Sequence, residues 1–358
     1  MAPASPRPWT TPTRLDRFEQ RAFSALLAMP ASLTRRLAGR PHIVDGQELD
    51  PQIQVGLRVL SHLGGPELND LPVAQARAVL ERESWLFGGP LAPVATSRDL
   101  LLPGPGGAIP ARLHLPQRRA PGPLPLLIWY QGGGWVLGSI ATHESLARAF
   151  CHLAGVAVLN VGYRLAPEHP FPAAFDDAEA AFLWAYAHAD EFGWDADRIA
   201  VGGDSAGGNL AAAVSLARVR GGGPAPAFQL LVVPAVDLVN RTRSYHLFGE
   251  GYFLSKANME WYKDCYLPPG LDRSDPRASP LLAPDLSGLP PAYVAVAGFD
   301  PLRDEGEAYA AALRAAGVPV TLRRHTSAVH PFINIPVTRM GQVALRETVG
   351  ALQVGLRV

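Results

Sequence analysis

One stretch of the sequence places a serine in a turn between an apolar segment and an alanine-rich segment. It spans residues 201–209 and reads VGGDSAGGN. The pattern G-x-S-x-G is typical of a strained strand-to-helix turn that exposes the serine hydroxyl, and glycine at Gly203 and Gly207 removes Cβ atoms that would clash there. A plain helix start capped by Asp204 or Ser205 is the alternative, and only partners elsewhere in the chain decide between them. With such partners, Ser205 is the candidate nucleophile.

Strand-like and helical segments alternate from about residue 93 onward. The strand-like segments are 94–102, 109–115, 124–130, 156–161, 198–201, 228–233, 293–297 and 318–324, and the helical ones are 175–192, 209–220 and 337–352. This alternation predicts an α/β fold with a mostly parallel central sheet of about eight strands and helices on both faces.

Two regions lie outside this alternation. Residues 1–90 are predicted to be mostly helical, because apolar residues recur there at spacings of three and four. Residues 238–288 form an insertion rich in aromatic side chains, which is either a lid or local core. The catalytic domain is therefore predicted to comprise residues 91–237 and 289–358.

Charge and composition exclude several classes of function. The 358 residues include 32 basic and 32 acidic side chains, so no net field favours nucleic acid or an anionic membrane, and a small-molecule substrate fits better. Cys151 and Cys265 lack metal-binding spacing, although one long-range disulfide between them stays open. No secretory signal pattern and no apolar stretch of about 18 residues is found, which predicts a soluble, cytoplasmic protein without stable membrane association.

Three glycines follow the strand-like segment 124–130 directly, in the run Gln131-Gly132-Gly133-Gly134-Trp135. Ligands gather at the carboxyl ends of strands in such sheets, and bare backbone amides there can bind a developing oxyanion together with the amide of Ala206. A tight turn is the simpler alternative. Phosphate binding is disfavoured, because no G-x-x-x-x-G-K-[S/T] pattern and no nearby lysine is present.

A nucleophilic serine needs a base and an orienting acid, and two residues at strand ends can supply them. His330 follows the strand-like segment 318–324 and Asp300 follows 293–297, and the order Ser, Asp, His is the hydrolase order of this fold. His325 is the nearest rival base, although it is expected to face solvent. Asp304 and Asp237 compete for the orienting role, and Asp300 is preferred because Pro301 fixes a sharp turn beside it.

Four motifs resemble those of the hormone-sensitive-lipase-like esterases, the bacterial family IV carboxylesterases of the α/β-hydrolase fold. They are GDSAGGN at 203–209, YRLAPEHPFPAA at 163–174, DPLRDE at 300–305 and HPF at 330–332. The resemblance implies a Ser205/Asp300/His330 triad. It also implies an oxyanion hole from the amides of Gly132, Gly133 and Ala206, and a mainly helical cap built from the N-terminal segment 1–90 and the insertion 238–288.

The sequence departs from this family at Gln131, where the oxyanion motif normally begins with histidine. Glutamine forms hydrogen bonds but does not titrate. Because backbone amides bind the oxyanion, activity is expected to survive, while the loop geometry and the substrate preference stay open.

The function that these residues predict is hydrolysis of short- to medium-chain carboxylic esters through an acyl-enzyme, without metal or cofactor. Trp135, Asp204 and Phe253 are expected to line the substrate pocket. Alcoholysis of the same acyl-enzyme by an acyltransferase is the main alternative, and a non-catalytic small-molecule receptor is disfavoured because His330 is present. The resemblance also makes a homodimer an expected form.

Overall fold

An eight-stranded sheet forms the centre of the described part of the chain, which comprises residues 12–27, 29–64, 67–118 and 121–358 of a computed structural model. The strands are β1 (Ile43–Val44), β2 (Gln47–Glu48), β3 (Thr96–Gly104), β4 (Gly107–Leu115), β5 (Leu124–Tyr130), β6 (Ala157–Val161), β7 (Trp194–Asp204), β8 (Phe228–Val232), β9 (Ala292–Phe299) and β10 (Val320–Val329). Strands β1 and β2 pair only with each other, and the large sheet has the order β10-β9-β8-β7-β5-β6-β4-β3. Pairs involving β4 are antiparallel and the other pairs of the large sheet are parallel, which confirms the predicted fold class.

Helices cover both faces of this sheet. The helices of the described ranges are α1 (Arg14–Leu27), α2 (Ala31–Ala38), α3 (Pro51–Leu63), α4 (Val73–Phe87), α5 (Glu144–Ala154), α6 (Ala173–Ala187), α7 (Ala189–Phe192), α8 (Ala206–Gly221), α9 (Arg243–Phe248), α10 (Lys256–Tyr266), α11 (Arg303–Ala315) and α12 (Arg339–Leu356). Helices α6, α8 and α11 pack on one face, and α5 and α12 on the other.

Strand β5 shows why a parallel strand has no polar face. Every residue of β5 is buried. Successive side chains point to opposite faces, so Ile128 joins the core beneath α6 and α8 while Leu127 and Trp129 join the core beneath α5 and α12. A continuous apolar run therefore marks the centre of the sheet.

The sequence-based boundaries differ from the structure at several elements. The helix predicted over 175–192 is two helices, α6 and α7, which meet at His188; its Nδ1 lies 2.8 Å from the Trp184 carbonyl oxygen. The backbone of His188 leaves the helical conformation, with φ −106° and ψ 15°, and this ends α6. Helix α5 was not predicted, although its buried residues, such as Leu146 and Phe150, recur at helical spacing. Strand β10 continues five residues beyond the predicted end, which brings its end directly before His330.

Helices α4 and α10 lie over the carboxyl end of the sheet, where they form walls of the cavity described below. Helix α1 packs against α4 through a contact between Phe23 and Phe87, whose ring centroids lie 4.8 Å apart. The division into a catalytic domain and a cap at residues 90, 237 and 289 stays a prediction. Cys151 and Cys265 are both free, so the disulfide left open by the sequence does not form. In the described ranges, no helix is long and apolar enough to cross a membrane.

Candidate active site

Ser205 lies in the turn between β7 and α8 with a backbone conformation that is rare for a residue other than glycine, φ 56° and ψ −118°. The chain reverses so tightly there that a Cβ atom on Gly207 would lie 1.9 Å from the Tyr130 carbonyl oxygen, and one on Gly203 would lie 2.3 Å from the Gly207 carbonyl carbon. Glycine is therefore required at both positions. The strain raises Ser205 out of the sheet edge into a cavity.

His330 and Asp300 meet at the same edge of the sheet. Asp300 follows the last residue of β9 and His330 follows the last residue of β10, and these strands are parallel neighbours. Nδ1 of His330 lies 3.0 Å from Oδ2 of Asp300, while Oδ1 accepts a hydrogen bond from the Leu302 amide at 2.8 Å. Because Asp300 is fully buried, its carboxylate holds the imidazole in one orientation. Ser205 Oγ and His330 line the same cavity without a hydrogen bond between them in the described part of the chain.

The rival acids are engaged elsewhere. Asp304 accepts a hydrogen bond from the Ser244 amide at 2.7 Å and pairs with Arg303 at 2.8 Å. Asp237 accepts hydrogen bonds from the amides of Val239 and Asn240, two and three residues further on. Neither contacts His330 through a hydrogen bond.

The expectation that His325 faces solvent is wrong. Its side chain is buried, and its ring centroid lies 4.7 Å from that of Phe332. Burial lowers the pKa of His325, which favours the neutral imidazole. His325 lies inside β10 rather than at its end, so it is held away from the cavity that His330 lines.

The glycine loop that follows β5 presents its amides unequally. The Gly132 N–H donates to Oδ1 of Asp204 at 3.1 Å, so it has an acceptor within the protein. The N–H groups of Gly133 and Gly134 have no acceptor among the described residues, and both glycines line the cavity. Gly134 lies beneath the Tyr262 ring, because a Cβ atom there would be 2.2 Å from the ring.

Asp204 connects the glycine loop to two further segments. Its Oδ1 lies 3.0 Å from Nε2 of His143, and its Oδ2 accepts a hydrogen bond from Nδ2 of Asn334 at 2.8 Å. Burial by itself raises the pKa of Asp204, but the partners His143 and Asn334 outweigh burial and hold the pKa below its ordinary value. Asp204 lines the large cavity, as the sequence predicted, and its carboxylate acts there as an internal anchor because protein groups already occupy both oxygens.

His143 and Asn334 were missed by sequence reasoning. They lie in the chain 61 residues before Asp204 and 130 residues after it. No motif marked His143 among ten histidines. The only available signal for Asn334 was its position four residues after His330.

The cavity above Ser205 has two lobes. The large lobe, of about 170 Å³, is lined by residues that include Glu83, Phe87, Gly133, His330, Asn334 and Ile335. The small lobe, of about 40 Å³, is lined by residues that include Trp135, Ala206, Leu238, Met259, Leu302 and Glu305. Both lobes share Gly134, Ser205, Leu254 and Tyr262, so they meet at the candidate nucleophile.

The aromatic residues expected in the pocket fall in different lobes. Trp135 lines the small lobe and stacks on Tyr266, with ring centroids 4.5 Å apart and planes 2° from parallel. Phe253 lines the large lobe with 39% of its surface exposed. Trp135 therefore forms a rigid wall of the small lobe, and Phe253 lies on the solvent side of the large lobe.

Gln131, where the resembled family has histidine, is buried behind the glycine loop. Its backbone carbonyl accepts a hydrogen bond from Oη of Tyr163 at 2.7 Å. Its side-chain Oε1 has no partner among the described residues. The main chain of Gln131 thus has a support that does not depend on the identity of its side chain.

The model of a family with the α/β-hydrolase fold matches residues 127–334 of the chain. A carboxylic ester hydrolase of Mycobacterium tuberculosis, LipN, is 49% identical over 327 residues, covering 89% of this chain and 86% of that protein. An arylesterase of Saccharolobus solfataricus is 40% identical, covering 81% of this chain and 94% of that protein.

Solved structures agree with these relatives. The ester hydrolase EH1AB1 from the metagenome of Lake Arreo, in complex with a bipyridine phosphonate derivative, has a TM-score of 0.84 and 41% identity, covering 87% of this chain and all of that chain. The thermostable carboxylesterase EstE1, cloned from a metagenomic library, has a TM-score of 0.77 at 41% identity, covering 80% of this chain and 98% of that chain. The chain therefore belongs to the hormone-sensitive-lipase-like carboxylic ester hydrolases of the α/β-hydrolase fold.

Proposed function

We propose that the protein hydrolyses short- to medium-chain carboxylic esters through an acyl-enzyme on Ser205. The observation that carries the proposal is the pairing of His330 with buried Asp300 at the rim of the cavity that also exposes Ser205. In the first step, Nε2 of His330 takes the hydroxyl proton of Ser205 as Oγ attacks the ester carbonyl carbon. Asp300 keeps the proton on Nδ1 and stabilises the imidazolium that forms.

The oxyanion is bound by the amides of Gly133, Gly134 and Ala206. The sequence pointed to Gly132 in place of Gly134, but the Gly132 amide already donates to Asp204, and using it would leave that buried carboxylate short of a donor. Ala206 is the first residue of α8, where the backbone N–H has no partner within the helix. Each such donor contributes about 10²- to 10³-fold to the rate in serine hydrolases.

The two lobes receive the two parts of the ester. The leaving alkoxide must lie beside His330, which returns the proton to it, and His330 lines only the large lobe. The alcohol part therefore occupies the large lobe and the acyl part the small lobe. The volume of the small lobe favours the short end of the acyl range.

Deacylation uses the same groups. A water molecule enters the large lobe after the alcohol leaves, and His330 takes its proton as the water oxygen attacks the acyl carbon. The bond between that carbon and Oγ of Ser205 then breaks, and His330 returns the proton to Oγ as the carboxylic acid leaves. An added alcohol competes with water for this position and converts the acyl-enzyme into a new ester. The amount of new ester relative to carboxylic acid therefore measures the extent of acyl transfer.

The test compares Ser205→Ala with Ser215→Ala on a series of p-nitrophenyl esters from acetate to octanoate. Ser215 is a matched control, since it is a buried serine of the same helix whose Oγ donates to the Ala211 carbonyl oxygen. We expect Ser205→Ala to lower kcat by about 10⁶-fold and Ser215→Ala to change it less than about threefold. Acyl-enzyme on the wild type is detected by intact mass after a rapid acid quench.

Turnover retained by Ser205→Ala would show that another residue is the nucleophile. Absence of turnover by the wild type on every ester would contradict the proposed activity itself. A profile that peaks at octanoate would contradict the assignment of the acyl part to the small lobe.

A further inference from the structure

Glu83 is the one carboxylate of helix α4 that lines the large lobe. It is half-buried, and within the described ranges it forms no hydrogen bond and no ion pair. The mechanism proposed above gives it no task. A carboxylate that shares a cavity with Ser205 and His330, and that has no protein partner, is available to a ligand in that cavity.

No lysine or arginine of the described ranges forms an ion pair with this carboxylate. Leu80, Ser84 and Phe87 accompany Glu83 from the same helix, and none of the described residues that line the large lobe is a lysine or arginine. Arg82, the adjacent residue, pairs with Asp16 at 2.7 Å and with Glu19 of helix α1. Its charge is therefore directed away from the lobe.

Burial raises the pKa of the Glu83 carboxyl, against a weaker opposing effect of Arg82. A positively charged ligand group in the lobe would offset that loss of solvation by forming an ion pair. Glu83 also contributes to the raised pKa of Tyr262, after the larger effect of burial.

We propose that Glu83 is a specificity-determining residue that selects esters whose alcohol part carries a protonated amine. The proposal rests on the function proposed above, because it needs the alcohol part to occupy the large lobe. The amine does not take part in the chemistry. It forms an ion pair with Glu83 in the bound ester and in the transition state, and so raises kcat/KM for the charged substrate.

The test uses two pairs of acetate esters with matched shapes. In each pair, a dimethylammonium group in one ester takes the place of an isopropyl group in the other. The pairs are 2-(dimethylamino)ethyl acetate with 3-methylbutyl acetate, and 3-(dimethylamino)propyl acetate with 4-methylpentyl acetate. The ratio of kcat/KM within a pair is measured by pH-stat at pH 7 for the wild type, Glu83→Gln and Glu81→Gln. Glu81 is a matched control, because it is a glutamate of the same helix that does not line the lobe.

For at least one pair, we expect Glu83→Gln to lower the charged-to-neutral ratio about ten- to a hundredfold relative to the wild type, and Glu81→Gln to leave it unchanged. Because intrinsic ester reactivity cancels when the variant is compared with the wild type, the change reports the side chain alone. An unchanged ratio in Glu83→Gln for both pairs, with normal turnover of p-nitrophenyl acetate, overturns the role of Glu83 and leaves the proposed function standing. No turnover of any ester by the wild type overturns both.

A binding measurement covers the case in which Glu83→Gln loses activity. Protonated 2-(dimethylamino)ethanol and 3-methylbutanol are titrated calorimetrically into the wild type, Glu83→Gln and Glu81→Gln. Preference for the amine in the wild type and Glu81→Gln, with its loss in Glu83→Gln, supports the ion pair. Equal affinity for both alcohols in the wild type overturns it.

Discussion

At the scale of single residues, Gly133 combines two requirements that alanine cannot meet. Its φ of 121° lies in the region that favours glycine, and a Cβ atom there would lie 2.4 Å from the Leu137 carbonyl oxygen. Gly107, the first residue of β4, has the same φ but no atom within 4 Å of the position of a Cβ. Comparing alanine substitutions at the two positions therefore distinguishes the effect of backbone strain, which both share, from the effect of steric contact, which occurs only at Gly133.

We expect Gly133→Ala to lower kcat/KM by about 10²-fold or more, because the loop must move and the Gly133 and Gly134 amides move with it. Gly107→Ala is expected to lower the free energy of unfolding by about 1–2 kcal/mol and to keep activity within about twofold. The measurements are kcat/KM for p-nitrophenyl acetate and urea denaturation. Equal loss of activity in both variants would contradict the role of the loop.

Residues whose role depends on backbone geometry could be predicted from the sequence, and residues that act through distant side chains could not. Ser205, Asp300 and His330 each follow a strand, so a one-dimensional pattern shows where they lie. The acceptor of the Gly132 amide is different, because Asp204 is 72 residues away in the chain and was expected only to line the pocket. Nothing in the local sequence shows which amides are already engaged.

At the scale of elements, helix α4 is joined to the active-site loop by Arg77. The Arg77 Nε–H donates to the Val136 carbonyl oxygen at 2.9 Å, an Nη2–H donates to the Ala166 carbonyl oxygen at 3.0 Å, and the guanidinium pairs with Glu168 at 2.7 Å. The Val136 amide in turn donates to the Gly133 carbonyl oxygen at 3.2 Å. Arg77 thus sets the distance between α4, which carries Glu83, and the glycine loop that follows β5.

We expect Arg77→Met to lower kcat/KM for p-nitrophenyl acetate by about tenfold, because both carbonyl oxygens lose a charged donor and the loop loosens. Arg82→Met is the control from the same helix. It removes ion pairs to Asp16 and Glu19 that lie away from the lobe, so kcat/KM is expected to change less than about twofold. A larger effect of Arg82→Met than of Arg77→Met would mean that the packing of α1 on α4, and not the Arg77 contacts, positions the loop.

At the scale of the whole molecule, the sheet order was beyond reach of the sequence. Strand β5 lies between β6 and β7 in the sheet. Strand β4 pairs antiparallel with β6, although β6 begins 42 residues after β4 ends. Period-two and period-3.6 patterns locate strands and helices, but strand order depends on crossovers whose geometry lies in loops. The carboxyl-end position of the site was predictable because it requires only that the strands be parallel.

Glu305 links the core to the pH dependence of stability. It lies in the buried first turn of α11 and accepts hydrogen bonds from the amides of Val236 and Asp237 at 2.8 and 3.3 Å. Burial raises its pKa from an ordinary 4.5 to about 8, despite those two donors. The folded protein therefore keeps a proton that the unfolded chain releases, so this contribution to stability is full below pH 4.5 and is lost as the pH rises through 8.

Glu305→Gln keeps the acceptor oxygen and removes the titration. The free energy of unfolding of the variant, minus that of the wild type, is expected to increase from pH 4.5 to pH 8 by at most about 1.4 kcal/mol per pH unit, and to level off above it. Urea denaturation at pH 5, 6, 7, 8 and 9 measures the difference. His114, whose pKa burial lowers to about 4, titrates in both proteins, so its effect cancels. The control is Glu307→Gln, a variant of the same helix that removes an ion pair with Arg324 of β10. For this control, the difference in free energy of unfolding from the wild type should stay flat over this pH range. A flat difference for Glu305→Gln as well would mean that Glu305 is ionised in the folded protein at neutral pH, held by its two amide donors.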